Sequence, residues 1–171
     1  MEATLKVLNR MEREGVIGNY AIGGAIAASY YVEPTVTYDL DIFAAIKERG
    51  GLVDLSGVYE WLRAAGFSAQ GGGVLVEGWE VQFLVPGDPL VQEALEMAEV
   101  VTFGSTQTRI FSAEHLAMIM LQLGRPKDRA RLAQFLDEKA LDAGRAAELA
   151  SRFDLGEKWA KFQAVFGRLS D

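Results

Sequence analysis

Two carboxylates, Asp39 and Asp41 in the run TYDLDIF, interrupt an otherwise apolar stretch of the chain. In a β-strand, residues two apart leave the same face. Both carboxylates would therefore project together, with Leu40 and Ile42 on the other side. Neighbouring carboxylates repel one another unless a cation lies between them. Hard oxygen ligands of this kind suit Mg²⁺ or Mn²⁺, which also bind triphosphate oxygens. Upstream, Gly23 and Gly24 follow a short apolar run. Glycines allow a backbone turn that a phosphate can approach closely, with helix N–H groups facing it. Each half has a plainer reading: a D-x-D is commonly a solvated strand end, and a Gly-Gly is commonly a turn. Their order, each on a suitable element, favours a nucleotide site.

The elements that must position these residues follow from periodicity. Residues 2–14 place Leu5, Leu8 and Met11 at helical spacing. Residues 19–22 read as a short strand, and Gly23-Gly24 opens a short helix. A loop set by Pro34 leads to a buried strand over 37–46. A helix follows, capped by Asp54 or Ser56 and stopped at Gly66. VLVEGWEVQFLV predicts a hairpin turning near Glu77-Gly78. Residues 89–98 read as helix, and 100–103 and 107–111 as short strands. From Ser112, with Glu114 in the first turn, the pattern becomes helical, with further helices over 127–138, 142–152 and 156–168. The expected organisation is an α/β core over residues 1–111 and a helical segment over 112–171 packed on it as one unit.

Composition narrows the function. The 171 residues contain no cysteine and one histidine, His115. That excludes disulfides, thiolate catalysis, cysteine-zinc sites and multi-histidine metal sites. The net charge of −7 disfavours broad binding to nucleic acid or anionic membrane. No apolar run is long enough to span a bilayer. The charged, amphipathic first residues are unlike a secretory signal. A cytoplasmic protein without a membrane partner is the expectation.

Gly23-Gly24 followed by TYDLDIF resembles the signature of the DNA polymerase-β-like nucleotidyltransferase superfamily. The nearest likeness is to its small prokaryotic branch of minimal nucleotidyltransferases and abortive-infection toxins. WEVQFLVPGDPLVQEAL and IFSAEHLAMIMLQLGRPKDRARLAQFL resemble the later strand and the helical region of its members. The resemblance covers roughly residues 17–138 and implies a nucleotidyltransferase fold, a mixed twisted sheet flanked by helices with a helical C-terminal segment. It implies that Gly23 and Gly24 form the phosphate turn and that Asp39 and Asp41 are paired metal ligands. Thr37 matches a threonine two residues before the first aspartate. Lys127 and Asp128 match a lysine–aspartate pair after the first C-terminal helix, with Lys127 approaching phosphate. Two departures stand out. Thr35 replaces an arginine, and the position of a third carboxylate, which would help a second metal and accept a proton, is Gln82. Glu80 shares its strand face and could substitute.

The leading expectation is Mg²⁺- or Mn²⁺-dependent transfer of a nucleotidyl group from a nucleoside triphosphate to a hydroxyl on RNA, a protein or a small molecule. Its rival is a degenerate nucleotide-binding or regulatory module, as in a toxin–antitoxin pair, which Gln82 and Thr35 favour. Among other residues, Arg125, Lys127, Arg129 and Arg131 crowd seven positions and read equally as a phosphate or RNA contact or as a solvated helix face. His115 is expected to cap or pack rather than act as a base. Trp61, Trp79 and Trp159, far apart in sequence, read as core anchors, as do Met118 and Met120.

Overall fold

Leu5, Leu8 and Met11 are fully buried on one side of the first helix, α1 (Glu2–Arg13), which lies against the sheet in the computed structural model. The structure describes residues 1–46, 48–49 and 52–167. After α1 come β1 (Tyr20–Ile22), the short α2 (Gly24–Ala28) and β2 (Asp39–Ala44). A two-stranded ribbon, β3 (Glu48–Arg49) with β4 (Leu52–Val53), leads to α3 (Ser56–Ala64). Then follow β5 (Ser68–Gln70), β6 (Gly73–Val76), β7 (Trp79–Leu84), α4 (Pro89–Glu96), β8 (Glu99–Phe103) and β9 (Thr106–Ile110). The chain finishes with α5 (Ala113–Leu123), α6 (Pro126–Asp137), α7 (Ala143–Arg152) and α8 (Gly156–Phe166). Residue 168, the expected end of that last helix, lies outside the described residues.

Seven strands form one mixed sheet in the order β5-β6-β7-β2-β1-β9-β8. The centre of the sheet matters most for the site. β2 runs antiparallel to β1, pairing Ile22 with Ile42, and parallel to β7, pairing Asp39 with Glu80 and Asp41 with Gln82. The hairpin near Glu77-Gly78 forms as the sequence predicts. Both residues have positive φ, 50° and 87°, as a two-residue turn with strand-matching twist requires.

The expected strand over 37–46 is shorter at both ends. Val36 and Tyr38 are strongly exposed, and register with β7 begins at Asp39. β5 is absent from the sequence reading because its three residues are all exposed and show no apolar alternation. The β3–β4 ribbon is likewise unannounced, being two residues per strand.

α5 is buried on nearly every side and carries the helices against α2, α4, α6 and α7. One continuous apolar cluster joins Ile22, Leu40 and Ile42 of the sheet to Leu116, Phe135, Leu149 and Trp159 of the later helices.

Candidate active site

Alternation along β2 decides where its carboxylates go. Leu40 and Ile42 are fully buried on one face, which leaves Asp39, Asp41 and Phe43 on the other. Asp39 is exposed and Asp41 half-buried. Neither carboxylate accepts a hydrogen bond from a described residue. Burial pushes the Asp41 carboxyl above its ordinary range, and the Asp39 charge adds to the effect. Lys127 and Arg125, facing it, act in the opposite direction. The site thus gathers negative charge on the sheet and positive charge on α6. Two hard oxygen donors left without hydrogen bonds suit one Mg²⁺ or Mn²⁺. Among the described residues, no group of three or more Asp, Glu or His could hold a metal.

The glycine pair is where the chain leaving β1 crosses β2. Gly23 N–H donates to the Asp41 carbonyl at 3.0 Å. A Cβ on Gly23 would lie 2.5 Å from the Phe43 ring, and one on Gly24 would lie 1.9 Å from Asp41 Oδ2. Gly24 also has φ +58°, a conformation that favours glycine. The pair is therefore dictated by close packing as well as by the turn. A bulky residue at Gly24 would displace the carboxylate itself, so it could not test phosphate approach in isolation.

α6 supplies the facing wall. Pro126 starts the helix and Arg125 is its N-cap. The buried Asp128 carboxylate accepts from the Arg125 backbone N–H (3.2 Å), Nε (2.6 Å) and Nη2 (3.0 Å). Asp128 thus lines the cleft but is committed to holding Arg125. Lys127 makes no hydrogen bond or ion pair with a described residue. Arg131 hydrogen-bonds the Glu33 carbonyl at 3.0 Å and also Thr35 Oγ1, tying the loop before β2 to α6. Gln134 Nε2 donates to the same Glu33 carbonyl at 3.0 Å. Thr37 Oγ1 accepts from Asp39 N–H at 3.4 Å, at the rim.

These parts enclose a cleft of about 660 Å³ lined by Gly24, Thr35, Thr37, Asp39, Asp41, Arg125, Lys127, Asp128 and Arg131. Leu84 of β7 and Leu116, Ile119, Met120 and Leu123 of α5 form an apolar wall. Arg125, which the sequence offered only as part of a basic cluster, joins Lys127 at Asp41. Arg129 is exposed and does not line the cleft.

Gln82 stands directly across from Asp41 on the neighbouring parallel strand, and so on the same face. Glu80 stands across from Asp39, but its Oε1 accepts from Gly72 N–H at 3.0 Å. A Cβ on Gly71 would lie 2.4 Å from that oxygen. Glu80 is drawn to the β5–β6 turn.

No protein-family model and no curated protein sequence matches the chain. Solved structures do. An antigenic nucleotidyltransferase-like protein from Paracoccidioides brasiliensis superposes with a TM-score of 0.63 at 16% identity, over 99% of this chain and 90% of its own. The antibiotic-resistance factor ANT(2'')-Ia superposes with a TM-score of 0.50 at 14% identity, over 98% of this chain and 100% of its own. The chain has a nucleotidyltransferase fold.

Within this nucleotidyltransferase fold the remaining candidates other than Met120 fall outside the cleft. His115 is buried between Ser112 Oγ (2.8 Å) and Glu93 Oε1 (3.3 Å), and burial holds its pKa below the ordinary histidine value. It joins α4 to α5, as a packing histidine does. Trp61 donates to Glu14 Oε2 at 2.7 Å beneath the Arg10 guanidinium, and Trp159 is buried among the last helices. Met118 is a core residue, whereas Met120 also reaches the cleft wall.

Proposed function

We propose that the cleft binds a divalent-metal nucleoside triphosphate and transfers its nucleotidyl group to an acceptor oxygen. One observation carries the reading. Two carboxylates without hydrogen bonds share a strand face opposite Arg125 and Lys127, beside an apolar wall. Asp39 and Asp41 would hold Mg²⁺ or Mn²⁺, which when bound polarises the phosphates and offsets their charge. Lys127 and Arg125 bind and orient the triphosphate as point charge and planar fork respectively. Asp128 keeps the Arg125 guanidinium in place. The α5 wall takes the nucleoside and excludes water from one side. Gly23-Gly24 lets phosphate approach the start of α2.

A second reading, a nucleotide-binding or regulatory module with a protein partner, is favoured by Gln82 beside Asp41 and by the commitment of Glu80 to Gly72. Among the described residues, no helix is long and apolar enough to cross a membrane.

Thermal unfolding tests the metal and nucleotide assignments together. Mn²⁺ with ATP, GTP, CTP or UTP in turn should raise the wild-type Tm by several degrees for at least one nucleotide. The double variant Asp39→Asn, Asp41→Asn should show no rise. Equal responses would remove the site.

A further inference from the structure

We propose that the acceptor is an oxyanion, a phosphate monoester or a carboxylate, rather than a neutral hydroxyl. The inference rests on the reading of the cleft as a nucleotidyl-transfer site. A neutral hydroxyl attacking the α-phosphorus must give up its proton to a positioned group, and an oxyanion need not. β7, the parallel neighbour of β2, puts two polar side chains on the face that carries Asp39 and Asp41, Glu80 and Gln82. Gln82, across from Asp41, is an amide and cannot take a proton at neutral pH. Glu80 has one oxygen held by Gly72 N–H and lies against Gly71. His115, the chain's one histidine, is enclosed between Ser112 and Glu93 at the α4–α5 junction. Arg125 and Lys127 are cations and donate only.

Gln82 also has a positive role. Its side-chain amide has two N–H donors, which can bind an anionic oxygen that a carboxylate in the same place would repel. A Cβ on Gly72 would be 3.9 Å from Gln82 Nε2, an ordinary contact, whereas one on Gly73 would be 2.3 Å from the Val81 carbonyl oxygen and 3.2 Å from Gln82 Cγ, so glycine at 73 is set by the close approach of β6 to β7.

In the reaction, an acceptor O⁻ forms a bond to the α-phosphorus. The bond from the α-phosphorus to the oxygen bridging to the β-phosphate breaks, and pyrophosphate leaves with the electron pair. The product is a phosphoanhydride from a phosphate monoester, or an acyl-phosphate anhydride from a carboxylate. No proton is released in the bond-forming step.

Matched acceptors separate the two classes. The full chain is given labelled ATP and Mn²⁺ with ribose 5-phosphate or ribose, with succinate or butanediol, and with RNA bearing a 5′-phosphate or only hydroxyl ends. Labelled product and pyrophosphate are followed. The anionic member should exceed its neutral partner by about tenfold or more, as loss of a hydrogen bond to a charged group would suggest. The ribose 5-phosphate and succinate arms decide between phosphate and carboxylate. Calorimetry with a non-hydrolysable ATP analogue adds a readout without turnover: ribose 5-phosphate or succinate should bind the complex, and ribose should not. Gln82→Ala should weaken that binding, and Gln82→Glu should reverse the preference and give hydroxyl transfer a rate that rises with pH. Neutral acceptors equal to or better than anionic ones in the wild type would overturn the proposal. Nucleotide binding without transfer to either class would overturn it and leave the nucleotide site standing. No nucleotide binding at all would remove both.

Discussion

Two regions of this molecule gather charged side chains at the edge of the core, and they treat them in opposite ways. At the junction of α4, α5 and α7, Glu93, Glu114, His115 and Arg152 each have a partner. Glu93 receives His115 and pairs with Arg152, and Glu114, itself buried, accepts from Asp142 N–H at 2.9 Å at the start of α7. At the β2–α6 cleft, Asp39 and Asp41 accept nothing from a described residue, and Lys127 faces them without a hydrogen bond or ion pair to a described residue. Burial alone does not mark a functional group. His115 is more deeply buried than Asp41, yet its ring is satisfied by two neighbours. The unmatched charges at the cleft support the proposal that it holds a ligand, since an unrelieved carboxylate pair disfavours the fold that holds it.

The sharpest way to break this contrast is to delete one carboxylate from each region. Glu114→Ala leaves the Asp142 N–H without its acceptor and should destabilise by about 1–3 kcal/mol in chemical denaturation. Asp41→Asn should do the reverse in metal-free buffer. The folded pKa of Asp41 lies above its unfolded value, so the ionised form is the disfavoured one in the fold, and the loss is present at neutral pH and relieved on acidification. Metal-free Asp41→Asn should therefore melt higher than wild type while losing the metal response. If both variants destabilise alike, the regions do not differ as described.

A pH titration sharpens the comparison at the junction. Burial holds the folded His115 pKa below the unfolded value of about 6.5. As pH falls below that value, the unfolded chain takes up the proton first, and stability drops by at most about 1.4 kcal/mol per pH unit. Melting curves between about pH 7 and pH 5 should show a His115 contribution that disappears in His115→Gln. An unchanged slope in that variant would mean that the ring titrates normally in the fold.

The smallest contrast lies within α6. Lys127→Ala should weaken metal–nucleotide binding by about tenfold through loss of a charge-assisted contact. Arg129→Ala, exposed and outside the cleft, should change stability by less than about 0.5 kcal/mol and leave affinity unmoved. Calorimetric titration of both variants separates a lining cation from a solvated one. Equal losses would mean that the basic cluster acts as a diffuse field.

Much of the cleft's lining was legible because it is local. A period of two puts Asp39 and Asp41 on one strand face. The glycine pair was legible as a turn. Its closer reason, the Asp41 carboxylate 1.9 Å from where a Gly24 Cβ would sit, was not, since the two residues meet only when β1 and β2 pair. Asp128 was read as part of a phosphate-binding pair, and its commitment to Arg125 depends on the capping geometry of α6. β5 carried no signal, because an exposed three-residue edge strand needs no apolar pattern.

By itself the sequence determined the helices, the β6–β7 turn, the shared face of the two aspartates and the absence of thiol and multi-histidine chemistry. These depend on residue type and on spacing along one element. Only the tertiary structure decided which groups meet. It placed Gln82 across from Asp41, drew Glu80 to Gly72, set Arg125 and Lys127 against the carboxylates and enclosed His115. The β2–β7 register brings together residues forty-one apart in the chain, Asp41 and Gln82. Such a pairing is fixed by the summed burial of both strands, and no single residue's type reveals it.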